Sequence, residues 1–323
     1  MSGSPMQSTR TAIERLLTST AEHGADLGYA AGWAGVKALP APVARRLFQL
    51  AADAGTRRGG PAVTQLRANL ARVIGHETAG ETSKKELDSL VQAAMRSYAR
   101  YWMETFRLPK MPRSAVLAKT ATEGTEHLDA AIAAGKGVVL ALPHSGNWDV
   151  AALWLIERGS PFTTVAERLK PESLYDRFVA YRESIGMQVL PLTGGARNPI
   201  DVLSERLREG GVICLLGDRD LSRRGVEVTF FGEATRMPAG PALLATSTGA
   251  TLLPVTLWYT EDGWGQRIFP PITLADGDRV DQIRSATQAL ADRFAESIAA
   301  HPADWHMLQK LWLADLKPRS ART

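Results

Sequence analysis

The residues with the greatest chemical potential in this chain lie in PHSGNWDVAALW, residues 143–154. His144 ends a greasy β-branched run, and Asp149 follows five residues later at the head of an apolar-periodic segment. In an open α/β sheet, ligands bind beyond the carboxyl ends of strands, and His144 falls at such an end. Asp149 falls in the first turn of the next helix, where the macrodipole favours its ionised form. Gly146 lets the chain bend back between them. The carboxylate can then hold one imidazole nitrogen and fix the tautomer, leaving the other nitrogen to take a proton. The bare spacing is weak, because roughly 0.3 His-x4-Asp matches arise by chance in such a composition. Its position at a strand-to-helix turn is what gives it weight.

A base and its orienter need a nucleophile. Ser145 follows the histidine directly and should point away from it, and no Gly-x-Ser-x-Gly elbow occurs. Ser145 is read as a helix cap or a ligand contact. Gly-x-Gly-x-x-Gly, Walker and His-Glu-x-x-His patterns are absent, and no Cys/His cluster is available for a metal. The nucleophile is therefore expected to arrive with the substrate, as a hydroxyl, an amine or water. Two further strand ends carry charge. Glu167, Arg168 and Lys170 follow PFTTVA, and Asp218, Arg219 and Asp220 follow GVICLLG. Asp218 is the best second carboxylate for the imidazole. Arg182 lies on the helix after Glu167, as a phosphate clamp, a partner for Glu167 or a surface ion pair.

These side chains need a frame. From about residue 115, short β-rich runs alternate with helical ones: 137–142, 161–166, 187–192, 211–217, 226–232, 251–259 and 266–274. This alternation predicts an α/β fold with a mostly parallel central sheet flanked by helices, whose last strands run antiparallel. Residues 11–110 read as helices punctuated by Pro40 and Pro42. Part of residues 27–50 is amphipathic, which suits either a helical core or a membrane-facing surface with Trp33 at the interface. A single domain is expected over 1–323, with a helical part at about 11–110 and an α/β core at about 111–316.

Composition narrows the class. Of 323 residues, 45% are hydrophobic and 22% charged, an ordinary globular balance. No apolar run approaches the roughly 20 residues that span a bilayer. The first residues lack a signal-peptide pattern, so a cytosolic compartment is expected. The lone Cys214 reads as a small buried hydrophobe. The net charge of +4 is spread over small Arg and Lys clusters. That suits an anionic membrane surface or a phosphate-bearing ligand better than nucleic acid, for which aromatic-interleaved basic motifs are missing.

HSGNWD, the Glu-Arg-Leu block, GDRD and FFGEATRMPAGPALLA together resemble the bacterial lipid acyltransferase family that includes the lipid A late acyltransferases. The likeness is strongest to its actinobacterial branch, which acylates phosphatidylinositol mannosides, and covers roughly residues 27–316. It implies a peripheral enzyme on the cytoplasmic side of the cell membrane, with acyl-CoA as co-substrate and no cofactor. The reaction it implies moves a fatty acyl chain, typically palmitoyl, to the 6-hydroxyl of the 2-linked mannose. The family's site residues map to His144, Asp149, Asp218, Glu167 and Arg182, and mycobacterial members carry Glu in place of Asp218. His144 then serves as general base, without a covalent acyl-enzyme. Asn147, Ser145 or backbone amides are candidates to stabilise the oxyanion. Arg168, Lys170, Arg223 and Arg224 are candidates for the phosphates of CoA, and Arg219 is a further binding residue. The N-terminal helices are expected to supply the greasy acyl slot. Another glycolipid acceptor, hydrolysis of acyl-CoA, or a non-catalytic peripheral membrane role are the competing readings.

Overall fold

The computed structural model describes residues 32–33, 35–75, 81–168, 172–222 and 224–316. Residues 32–33 and 35–38 are helical, and α1 (Ala41–Arg58), α2 (Pro61–Val73) and α3 (Glu81–Arg107) follow. Pro42 and Pro61 sit in the first turns of α1 and α2, where a missing N–H costs nothing. Gly59 and Gly60 separate the two helices, both at positive φ. The α2–α3 pair is held by its own small core of Leu66, Leu70, Val91 and Ala94.

The rest alternates as expected. After α4 (Arg113–Ala118) come β1 (Thr120–Glu123), α5 (Thr125–Ala133), β2 (Val138–Leu142), α6 (Trp148–Glu157) and β3 (Phe162–Ala166). Then follow α7 (Glu172–Ser184), β4 (Gln188–Pro191), α8 (Pro199–Arg208), β5 (Val212–Leu216), β6 (Val226–Phe230) and β7 (Glu233–Met237). Helix α9 (Gly240–Thr248), β8 (Thr251–Tyr259), β9 (Trp264–Ile268) and α10 (Arg279–Ala300) close the series. Seven strands form one sheet in the order β1-β9-β8-β2-β5-β3-β4. All its pairs are parallel except β8 with β9.

All five residues of β2 are buried, as a central strand covered on both faces requires. Alternate residues feed two cores. Val139 and Ala141 join α9 and α10 on one face, while Val138, Leu140 and Leu142 join α6 on the other.

Two expectations change. The run 226–232 is not part of the sheet but pairs with the unforeseen β7 as a separate hairpin. The last strand ends at Ile268 rather than running to 274. Trp33, open to either reading, is half-buried: its ring packs on Phe106, Phe178 and Tyr181, and its N–H donates to the Phe106 carbonyl at 3.1 Å.

Candidate active site

Strand register brings the base and its partner together. Leu142 of β2 lies opposite Leu216 of β5, so the residues two further on, His144 and Asp218, leave the sheet side by side. His144 Nδ1 lies 2.5 Å from Asp218 Oδ1, and the His144 backbone N–H donates to Oδ2 at 2.9 Å. The Trp305 indole N–H also donates to Oδ2, at 3.0 Å. Asp218 is fully buried, while the His144 side chain keeps 22% of its surface exposed. Burial alone would raise the Asp218 carboxyl. The His144 charge and the three donors outweigh it and hold the group below its ordinary range. With Nδ1 committed to Asp218, no described residue hydrogen-bonds Nε2.

Asp149 does not hold the imidazole. Asn147 caps α6, its Oδ1 accepting from the Asp149 and Val150 backbone N–H groups at 3.2 Å each. That start places Trp148 beside His144, with ring centroids 5.8 Å apart. Asp149, roughly 100° further round the helix, faces away from it. It is fully buried and accepts from Arg182 Nε at 3.2 Å, Thr105 Oγ1 at 3.2 Å and the Tyr101 hydroxyl at 3.4 Å. Its charge, against the cost of burial, holds Arg182 firmly protonated. Arg182 therefore pairs with Asp149 rather than with Glu167 or a surface acid.

The turn between them is held from behind. Gly146 has φ 56° and abuts β8: a Cβ there would lie 2.9 Å from the backbone of Leu257. Asn147 Nδ2 donates to Glu104 at 2.8 Å, so both ends of its amide are committed within the fold. It caps α6 and ties the turn to α3. Ser145 is not the cap; its Oγ is buried and has no partner among the described residues.

Glu167 and Arg219 meet at 3.2 Å on the exposed rim. Arg168 pairs with Glu172 at 2.6 Å on the surface and is not joined to the His144 pair. Lys170 and Arg223 lie outside the described residues.

An apolar cavity of ≈ 740 Å³, counted with its open mouth, runs between the sheet and α6. Leu140, Leu142, Leu155, Phe162 and Cys214 line it, and Trp148, Asp149 and Arg182 form one wall. Burial raises the Cys214 thiol, so it lines this space as an inert apolar group. The described residues that line this cavity come from the α/β core, and none comes from α1–α3.

Sequence reasoning missed two supports. One is the face of α3 carrying Ser97, Tyr101, Glu104 and Thr105, all buried and all bonded to the turn or its neighbours. Their spacing of four, three and one residues on an otherwise helical stripe was the readable signal. The other is the segment Asp304–His306, which packs directly against the turn.

The sequence profile described as bacterial lipid A biosynthesis acyltransferase matches residues 14–314. The chain belongs to that family. This acyltransferase is also 56% identical over 291 residues to the phosphatidylinositol mannoside acyltransferase of Mycolicibacterium smegmatis, covering 90% of this chain and 92% of the relative. It is 55% identical over 301 residues to the protein of the same name from Mycobacterium tuberculosis, covering 93% and 92%.

Proposed function

We propose that this acyltransferase moves a fatty acyl chain, palmitoyl for preference, from acyl-CoA to the 6-hydroxyl of the 2-linked mannose of a phosphatidylinositol mannoside. The observation that carries this reading is a histidine held at Nδ1 by a buried carboxylate, with no described residue bonded to Nε2 and with its neighbour Trp148 lining an apolar cavity. The acceptor assignment rests on the relatives' names.

The mannose hydroxyl attacks the thioester carbonyl while His144 Nε2 takes its proton, an assistance worth roughly 10²–10⁴-fold. Asp218 keeps the tautomer and stabilises the imidazolium. The C–S bond then breaks, and the CoA thiolate takes the proton back from Nε2. We assign the oxyanion to donors of the turn, either its backbone amides or the Ser145 hydroxyl, which has no partner among the described residues. The acyl chain is assigned to the cavity under α6, and the phosphates of CoA to Arg219 and Arg224, which follow β5.

The enzyme works at the cytoplasmic face of the cell membrane. No described helix is long and apolar enough to cross a membrane. Helix α1 instead exposes Val43, Leu47 and Leu50 beside Arg45 and Arg46, an apolar strip with basic flanks. Leu47→Gln with Val43→Gln should weaken binding to anionic vesicles several-fold and leave Tm unchanged; unchanged vesicle binding would remove this strip as the contact.

The central test is labelled palmitoyl-CoA supplied with and without mannosylated phosphatidylinositol, with products identified by mass spectrometry. Mono-acylated mannoside is expected. Release of free fatty acid at the same rate without acceptor would replace this reading with hydrolysis.

A further inference from the structure

The residues that act on the acyl group in the proposed reaction come from strand ends, yet their geometry is closed by a segment distant in sequence. Asp304–His306 follows α10 and forms an antiparallel bridge, Ser145 opposite Trp305. The Gly146 N–H donates to the Asp304 carbonyl at 2.9 Å, and the His306 N–H donates to the His144 carbonyl at 2.8 Å. Between these two ties Trp305, fully buried, sends its indole N–H to the oxygen of Asp218 that does not face the ring. Its ring lies edge-on to Phe230 and to Trp312, at 6.0 and 6.1 Å, which leaves it no freedom to turn.

We propose that Trp305 is a positioning residue that both orients the Asp218 carboxylate and moderates its pull on the His144 proton. This inference rests on the general-base reading of His144. A carboxylate that shares its charge with an indole N–H is a weaker acceptor towards the imidazolium. Remove the indole donor, and Asp218 grips the protonated ring more tightly and less squarely. The unprotonated base then becomes scarcer near neutral pH. The other charged or titratable groups around the pair are His306 and Asp304 behind the turn, Tyr259 on β8, the Asp149–Arg182 pair beyond Trp148, and Arg219 on the rim. The described contacts place none of these on Asp218.

The test compares two indoles. Trp312 is as buried as Trp305, but it donates to the Phe230 carbonyl at 3.0 Å and touches neither His144 nor Asp218. Trp305→Phe should lower kcat about ten- to a hundred-fold, the worth of a hydrogen bond to a charged group. It should leave KM for acyl-CoA within about two-fold and move the acid limb of the pH–rate profile upward by about one pH unit. Trp312→Phe should lower Tm and leave the profile in place. An unmoved profile in Trp305→Phe, or equal movement in both variants, would overturn the proposal.

If Trp305→Phe does not fold, the wild-type chain supplies the answer through its eight indole N–H resonances. One of them should follow the same pH midpoint as activity and cease to do so in His144→Ala; no such resonance would overturn the proposal. His144→Ala itself separates the two levels. Full activity there removes the general-base reading, whereas an inactive His144→Ala with an unmoved Trp305→Phe profile removes only the role given to Trp305.

Discussion

Two fully buried aspartates serve the HSGNWD turn, Asp149 at its end and Asp218 from beyond β5, and they meet different partners. Asp218 faces an imidazole that is partly open to solvent and can lose its proton. Asp149 faces a guanidinium that cannot, with two hydroxyls completing its shell. A carboxylate against a titratable partner can take part in proton transfer. A carboxylate against a permanent cation serves as a fixed counter-charge, locking α6 to α3 and α7. Burial is the same for both; the partner's chemistry makes the difference.

The largest effect should come from His144→Ala, which removes the proposed base: acyl transfer should fall by ~10³–10⁴-fold with Tm nearly unchanged. Asp218→Asn keeps the shape but loses the charge, and a fall of ~10²–10³-fold in kcat is expected. Retention of more than a tenth of wild-type kcat by Asp218→Asn would end the distinction between the two acids.

Asp149→Asn should instead act on stability. It leaves the Arg182 charge in a mostly enclosed site without its counter-ion, at a cost of about 2–4 kcal/mol, read as several degrees of Tm. Turnover should fall no more than about ten-fold. The contrast breaks if Asp149→Asn loses as much turnover as Asp218→Asn while its Tm holds.

His306 sharpens the picture by pH. Burial, with the neighbouring His144 charge, lowers it to about 3. Because the unfolded chain binds this proton near pH 6.5, the contribution is fully present above that pH and is lost as pH falls toward 3. At pH 5 the folded state should have lost ~2 kcal/mol from this group alone. His306→Gln should therefore show a flatter decline of Tm between pH 6.5 and 4 than wild type. Parallel curves would show that His306 carries a proton in the folded protein.

Much of this was legible before folding. The strands at 138–142, 162–166 and 212–216 are short runs rich in aliphatic, β-branched and aromatic residues, and the first is buried along its whole length. Strand β1, with the sequence TATE, and β7, EATRM, were not legible, because short polar edge and hairpin strands carry no such run. The packing of Trp33 on Phe106, Phe178 and Tyr181 was not legible, because an amphipathic stripe does not say which of its aromatics another helix will cover.

The placing of His144 and Asp218 at neighbouring strand ends was legible in sequence alone, since a strand end is readable from hydrophobic pattern and turn residues. The closeness of Asp149 in sequence was misleading. Five residues along a chain specify no direction once a capped helix begins, because each step turns the side chain by roughly 100°. Only the tertiary structure decided between the two acids. It did so through the register that sets Leu142 against Leu216, through the α3 face that claims Asp149, and through the return of Trp305 to the far oxygen of Asp218. These are contacts across 74, 44 and 87 residues of chain, beyond the reach of any local pattern.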